Sequence, residues 1–146
     1  MPVDGHGLLD TNILILRRRI DHDQLPAYMS ISAITLAELS AGPHHAEDPQ
    51  ERARRLDVLQ RVEAAFDPLP FDAEAARAFD QVCAAVLAAG RKTRGRVSDL
   101  MIASVAIANR LPLFTANPGD FEGLEGLLTV VPVSVPLSRS PAGLVG

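Results

Sequence analysis

Leu8-Leu9-Asp10-Thr11-Asn12 is a short apolar run ending in one carboxylate and two small polar residues. A strand buried on both faces reads as a continuous apolar run. The stretch therefore predicts a buried strand over residues 7–10 that carries an acid to its carboxyl end. In open α/β sheets that edge is where ligands sit. Asn12 is expected to cap a helix over residues 12–19.

Outward from this stretch, strands and helices alternate. Tyr28 to Ser32 reads as a second strand, and residues 33–41 as a helix stopped by Gly42-Pro43. His44 to Asp48 reads as a loop. Asp48-Pro49-Gln50-Glu51 combines a cap, a proline at the first helical position and an acid in the first turn, and opens a helix to about Phe66. Pro68 to Phe71 is extended. Asp72 caps a helix that runs to Ala89 and stops at Gly90. A basic loop, Arg91 to Val97, precedes a helix capped by Ser98 that runs from Asp99 to about Asn109. Pro112 to Thr115 and Thr129 to Val133 read as strands, around a loop with one helical turn over Asn117 to Glu125. The order predicts an α/β fold with a mainly parallel central sheet and helices on both faces. Residues 1–133 form one domain, and residues 134–146, rich in Ser, Pro and Gly, form a loosely ordered tail.

A chain of 146 residues buries about 70% of its unfolded surface on folding, so no disulfide or structural metal is needed. Cys83 is the single cysteine; its helical setting predicts a buried thiol acting as a small hydrophobe. Absence of a disulfide framework, of a leader-like start and of a membrane-length apolar run leads to the expectation of a cytoplasmic chain with no membrane partner. The formal charge of −4 argues against a basic nucleic-acid coat but not against a nuclease, whose metal-binding acids lower the charge. The basic residues gather at Arg17 to Arg19 and at Arg91, Lys92, Arg94 and Arg96.

Four acids stand in odd settings. Asp10 and Asp120 follow strand ends. Glu38 interrupts the otherwise apolar Ala33-Ile34-Thr35-Leu36-Ala37-Glu38-Leu39, so it is expected on a short, largely buried helix. Asp99 opens a helix apolar on almost every side, which predicts burial on several faces or in an oligomer interface. Each acid has an ordinary account as turn, cap or surface residue. Together they suggest one cleft that holds Mg²⁺ or Mn²⁺ for phosphodiester chemistry. All four histidines read as surface residues, and no nucleophile elbow supports a serine triad.

In order and spacing, Leu8 to Asn12, Ser32 to Leu39, Ser98 to Ala103 and Thr115-Ala116-Asn117-Pro118-Gly119-Asp120-Phe121 resemble the PIN-domain family, and within it the VapC ribonuclease toxins of bacterial toxin–antitoxin pairs. The resemblance places that family's acidic positions at Asp10, Glu38, Asp99 and Asp120, with Asp10 and Asp99 expected as direct metal ligands and Glu38 and Asp120 as ligands directly or through water. It implies that Thr11, Asn12, Thr115 and Asn117 orient the acids or waters. It further implies a metal-dependent endoribonuclease, a homodimer and a small inhibitory antitoxin that inserts a basic side chain into the acidic pocket. Hydrolysis by a metal-activated water would leave 5′-phosphate and 3′-hydroxyl ends. Arg91, Lys92, Arg94 and Arg96 are expected to contact RNA phosphates, with Arg17 to Arg19 second; binding of the antitoxin by the same arginines is the alternative. A haloacid-dehalogenase-type site would need an acid where Asn12 stands, and a receiver domain a lysine after a late strand, whereas Lys92 is the only lysine. A housekeeping RNA-processing nuclease of the same family and a non-catalytic binding module stay open on sequence grounds.

Overall fold

The computed structural model describes residues 3–136, with side chains from Gly5 onward. Four strands, β1 (Val3–Leu9), β2 (Pro26–Ser30), β3 (Leu113–Thr115) and β4 (Val130–Pro132), form a sheet in the order β2-β1-β3-β4. All pairings are parallel, so the expected mainly parallel sheet is wholly parallel. Five α-helices surround it: α1 (Thr11–Ile15), α2 (Ala33–Ala41), α3 (Pro49–Ala65), α4 (Ala73–Ala88) and α5 (Val97–Ala108).

Alternation along the central strands divides the core. Leu8 pairs in register with Leu113, and Leu9 with Phe114. Leu8 and Leu113 pack with Val82 and Val86 of α4 and with Ile102 and Val105 of α5. Leu9 and Phe114 pack on the opposite face with Ile13 of α1 and Val62 of α3. Successive side chains of a strand face opposite ways, so this two-residue register suffices to put helices on both faces. The apolar perimeter of α5 is covered by α4 and the sheet, with Leu100, Ile102, Ala103, Val105 and Ala106 all buried.

Several local expectations hold. Asp48 and Asp72 accept the N–H groups of Glu51 and Ala75, caps that contribute about 1 kcal/mol each. Gly90 ends α4. Other expectations are corrected. The first strand starts at Val3 rather than residue 7 because its polar half pairs with β2. The second strand lies two residues earlier than expected, and Ser32 caps α2 through the N–H of Thr35. The predicted helix over 12–19 shortens to Thr11–Ile15, followed by a 3-10 turn at Arg17–Arg19. Asp10, not Asn12, is its cap. Residues 42–45 form a 3-10 turn instead of a stop and loop. Arg96, not Ser98, occupies the cap position of α5, without a side-chain bond. Cys83 is half-buried rather than fully buried. His6, His22, His44 and His45 are all exposed.

Of the expected loose tail, residues 134–136 are tied back. Ser134 exchanges hydrogen bonds with the Gln24 side chain at 2.8 and 2.9 Å, and Arg19 donates to the Pro136 carbonyl. Residues 137–146 lie outside the described residues.

Candidate active site

The strand order reverses at β1. The chain goes from β1 to β2 on one side, then crosses to β3 on the other. Such a switch point opens a crevice beyond the carboxyl ends of the strands. Asp10 leaves β1 and Thr115 ends β3 at that crevice.

Asp10 is 3% exposed. Its N–H still donates to the Phe114 carbonyl at 2.9 Å, which continues the β1–β3 pairing. Strand passes directly into helix here, so the carboxylate does two jobs. Oδ1 accepts the N–H of Thr11 at 2.9 Å and caps α1. Oδ2 accepts the Thr115 hydroxyl at 2.8 Å and the Asn12 amide at 3.2 Å. Asn12 reaches on through Oδ1 to the N–H of Ala116 at 3.2 Å. It therefore staples the end of β3 to α1, which is why it is not the cap. Thr115, fully buried, also accepts the N–H of Asn117 at 3.0 Å.

Glu38 corrects the expectation of a buried acid: it is exposed, and only Thr35 and Leu39 of α2 are buried. Ile34 joins one face of the core and Leu39 the other, so α2 straddles the sheet edge and turns a side to the crevice. Glu38 is nonetheless held, accepting the Thr11 hydroxyl at 2.7 Å. Thr11 is contacted in turn by the Thr35 hydroxyl at 2.9 Å. Ser32 and Thr35, both fully buried, were not singled out as site residues from the sequence. A hydroxyl one turn before an acid in an apolar helix is the signal that could have found Thr35.

Asp99 and Asp120 complete the group. Both are half-buried. Burial pushes the Asp99 carboxyl up to about 6, with repulsion from Asp10, Asp120 and Glu38 adding to the shift and Arg96 opposing it. Asp10 is also raised, by burial first, against the hydrogen bonds from Thr115 and Thr11 and with help from Glu38 and Asp120. The four sequence-predicted acids thus share one electrostatic neighbourhood. An open cleft of about 380 Å³ lies beside them, lined by Glu38, Gly95, Arg96, Val97, Ser98 and Asp99.

The polar helpers divide. Thr11, Asn12 and Thr115 bind the acids through their side chains. Asn117 contributes its backbone N–H, while its side chain is exposed. The predicted phosphate contacts divide too. Lys92 and Arg94 are exposed, but Arg91 and Arg96 are half-buried and donate to backbone carbonyls of the Asp120 turn.

Among the described residues, no three acid, histidine or cysteine side chains close around one point tightly enough to hold an ion by protein ligands alone. The available donors are hard carboxylate and hydroxyl oxygens around a buried acid. They fit a hydrated Mg²⁺ or Mn²⁺, since Mg²⁺ keeps several waters and takes only one or two carboxylates directly.

These shifts set a pH dependence. Asp99 has a higher affinity for protons in the folded chain than its ordinary 3.8. Between 3.8 and about 6 the folded state binds more protons than the unfolded state. Stability in chelator is therefore expected to fall as pH rises through that window, with the full cost present above it. Urea midpoints compared with Asp99→Asn test this. A wild-type-minus-variant difference that stays flat with pH refutes it.

Residues 7–126 match the PIN domain family. The chain is 35% identical over 127 residues to ribonuclease VapC5 of Mycobacterium tuberculosis, covering 85% of this chain and 91% of that protein. It is 34% identical over 131 residues to the tRNA(fMet)-specific endonuclease VapC of Shigella flexneri, covering 84% and 94%. Among solved structures, the Mycobacterium tuberculosis VapBC-5 toxin–antitoxin structure contains a similar chain, with a TM-score of 0.77, 35% identity and coverage of 89% and 98%. The fold, the acid-bearing switch point and these matches agree, and this chain belongs to the PIN domain family, among its VapC members.

Proposed function

We propose that this protein is a divalent-metal-dependent endoribonuclease, the toxin of a toxin–antitoxin pair. One observation carries the reading. Asp10, nearly sealed from water, sits at the switch point with Asp99, Asp120 and Glu38 all repelling within its neighbourhood. Clustered acids of this kind raise the free energy of the empty site unless a proton or a cation relieves them. The ribonuclease and tRNA-specific endonuclease names of its relatives support the same chemistry.

Asp10 and Asp99 would hold the ion, and Glu38 and Asp120 would complete the set directly or through water. When bound, the ion supplies a water of lowered pKa and stabilises charge on the leaving oxygen. The protein's own work is positioning. Thr115 and Asn12 fix the Asp10 carboxylate, and Thr11 with Thr35 fixes Glu38. Asp99 must lose its proton before it can ligate, so ion affinity rises as pH passes about 6. RNA phosphates would lie along the cleft lined by Gly95 and Arg96, with exposed Lys92 and Arg94 just before it in the chain. A homodimer, a cytoplasmic location and a small antitoxin that places a basic side chain among the acids belong to the same reading. The toxin–antitoxin assembly of the structural relative supports the antitoxin. Among the described residues no helix is long and apolar enough to cross a membrane.

Incubation with total RNA tests the reading. Discrete fragments are expected with Mg²⁺ or Mn²⁺ and none with chelator. Their ends are expected to be 5′-phosphate and 3′-hydroxyl; 2′,3′-cyclic phosphates would overturn the hydrolytic mechanism. No cleavage of any RNA, together with no ion binding, would put a non-catalytic binding module in its place.

A further inference from the structure

We propose that Arg91 and Arg96 are positioning residues for Asp120, clamping the backbone of its turn, and that Lys92 and Arg94 supply most of this loop's contact with RNA phosphate. The proposal rests on the nuclease reading for its consequence and on contacts within the fold for its geometry.

The end of α4 fixes where the clamp begins. Gly90 adopts φ +76°, its N–H donates to the Leu87 carbonyl at 3.0 Å, and the N–H of Arg91 reaches back to Val86 at 3.0 Å. This pair of bonds is a Schellman ending, which holds the backbone of Arg91 against α4. Its side chain is only 23% exposed. Nη1 donates to the Gly119 carbonyl at 2.9 Å and to Glu122 Oε2 at 3.2 Å, with the Glu122 carbonyl at 3.5 Å. Five residues on, Arg96 opens α5 and donates from Nη1 to the Asp120 carbonyl at 3.3 Å.

All of these acceptors lie in or just after the 3-10 turn Pro118–Phe121. The Gly119 carbonyl takes the Glu122 N–H only at 3.4 Å, the carbonyls after it lack partners within so short a turn, and a guanidinium supplies charge-assisted bonds. The other side of the turn is anchored by Phe121 and Leu124, buried in the core shared by α4 and α5. With the Asp120 carbonyl held from one side and the Phe121 ring from the other, the Asp120 carboxylate has a defined approach to Asp10 and Asp99. With Nη1 of each guanidinium directed at the turn and both side chains half-buried, Arg91 and Arg96 present less of their charge to a phosphate than exposed Lys92 and Arg94 do.

Four variants of the full chain test this: Arg91→Gln, Arg96→Gln, Arg91→Lys and the double Lys92→Gln/Arg94→Gln. For the first two, kcat on RNA is expected to fall roughly ten- to hundredfold through misplacement of Asp120, with KM nearly unchanged. The salt dependence of RNA binding in chelator should keep its wild-type slope. Amide exchange at Asp120 and Glu122 should quicken. Arg91→Lys, with one ammonium for several acceptors, should recover part of kcat. The Lys92/Arg94 double variant should do the opposite, raising KM and flattening the salt slope by about 0.7 per lost phosphate contact. A flattened slope with unchanged turn exchange in Arg91→Gln and Arg96→Gln would overturn the clamp and make them phosphate ligands. If wild type cleaves no RNA, the nuclease reading fails separately, and the exchange measurement still decides the clamp.

Discussion

Replacing Asp10 by asparagine is expected to lower RNA cleavage by about a thousandfold or more while leaving the protein folded. Loss of an ion-holding carboxylate removes several kcal/mol of transition-state stabilisation, and each 1.36 kcal/mol is about tenfold in rate. The substitution is nearly isosteric. Its carbonyl oxygen can still accept the N–H of Thr11, and asparagine caps helices as well as aspartate does. The amide that replaces Oδ2 faces the Asn12 amide and the Thr115 hydroxyl, of which only the hydroxyl can turn to accept. Because burial raises the Asp10 carboxyl, its ionised form costs folding free energy above that raised value. The variant is therefore expected to melt at the same temperature as wild type in chelator, or higher. Added Mn²⁺ should raise the melting temperature of wild type and not of the variant. Retained cleavage, or a clear loss of stability in chelator, would show that Asp10 serves the fold rather than the chemistry.

Gly7→Ala is expected to give the largest loss of stability, about 1–3 kcal/mol. A Cβ at Gly7 would collide with the Phe114 ring, reaching Cδ1 at 2.7 Å and Cε1 closer still, and would press Pro26 Cγ at 3.0 Å. Phe114 is 1% exposed in the core under α1 and α3, so its ring has little space to yield. The damage should reach the site, because Phe114 accepts the Asp10 N–H and precedes Thr115. Thermal melts and cleavage rates measured together check this. Phe114→Leu added to Gly7→Ala should recover part of the loss, a coupling expected between touching side chains. Two losses that simply add would mean that the ring moves aside freely.

Much of the candidate site is legible in local pattern. An apolar run ending in Asp10 marks a strand end, and a strand end in a parallel sheet marks the crevice. Asp48, Asp72 and Gly90 punctuate helices by chemistry confined to a few neighbouring residues. Sequence pattern sets Glu38 in the right helix but with the wrong exposure. The apolar content of α2 says that the helix is buried somewhere, not that its buried side chains go to two faces of the sheet and leave one side at the cleft. Asn12 and Ser98 look like caps because their side chains suit the role. Whether a side chain takes the nearby N–H depends on competing partners. Asn12 is drawn across to Ala116, 104 residues away, and Asp10 takes its place.

The basic loop makes the same point about function. Arg91, Lys92, Arg94 and Arg96 are one charge cluster in sequence, and charge alone assigns them all to phosphate. In the fold, Arg91 and Arg96 reach carbonyls of a turn more than twenty residues later, a role that Lys92 and Arg94 do not share among the described residues. The sequence by itself determined the α/β order and the parallel sheet, and it marked the four acids as candidates. These follow from burial, period and capping, which act over one turn or one strand. Only the tertiary structure decided which hydroxyl orients which acid, how far each acid is buried and which arginines are committed. Those outcomes depend on groups distant in the chain, whose meeting is set by strand register and helix packing.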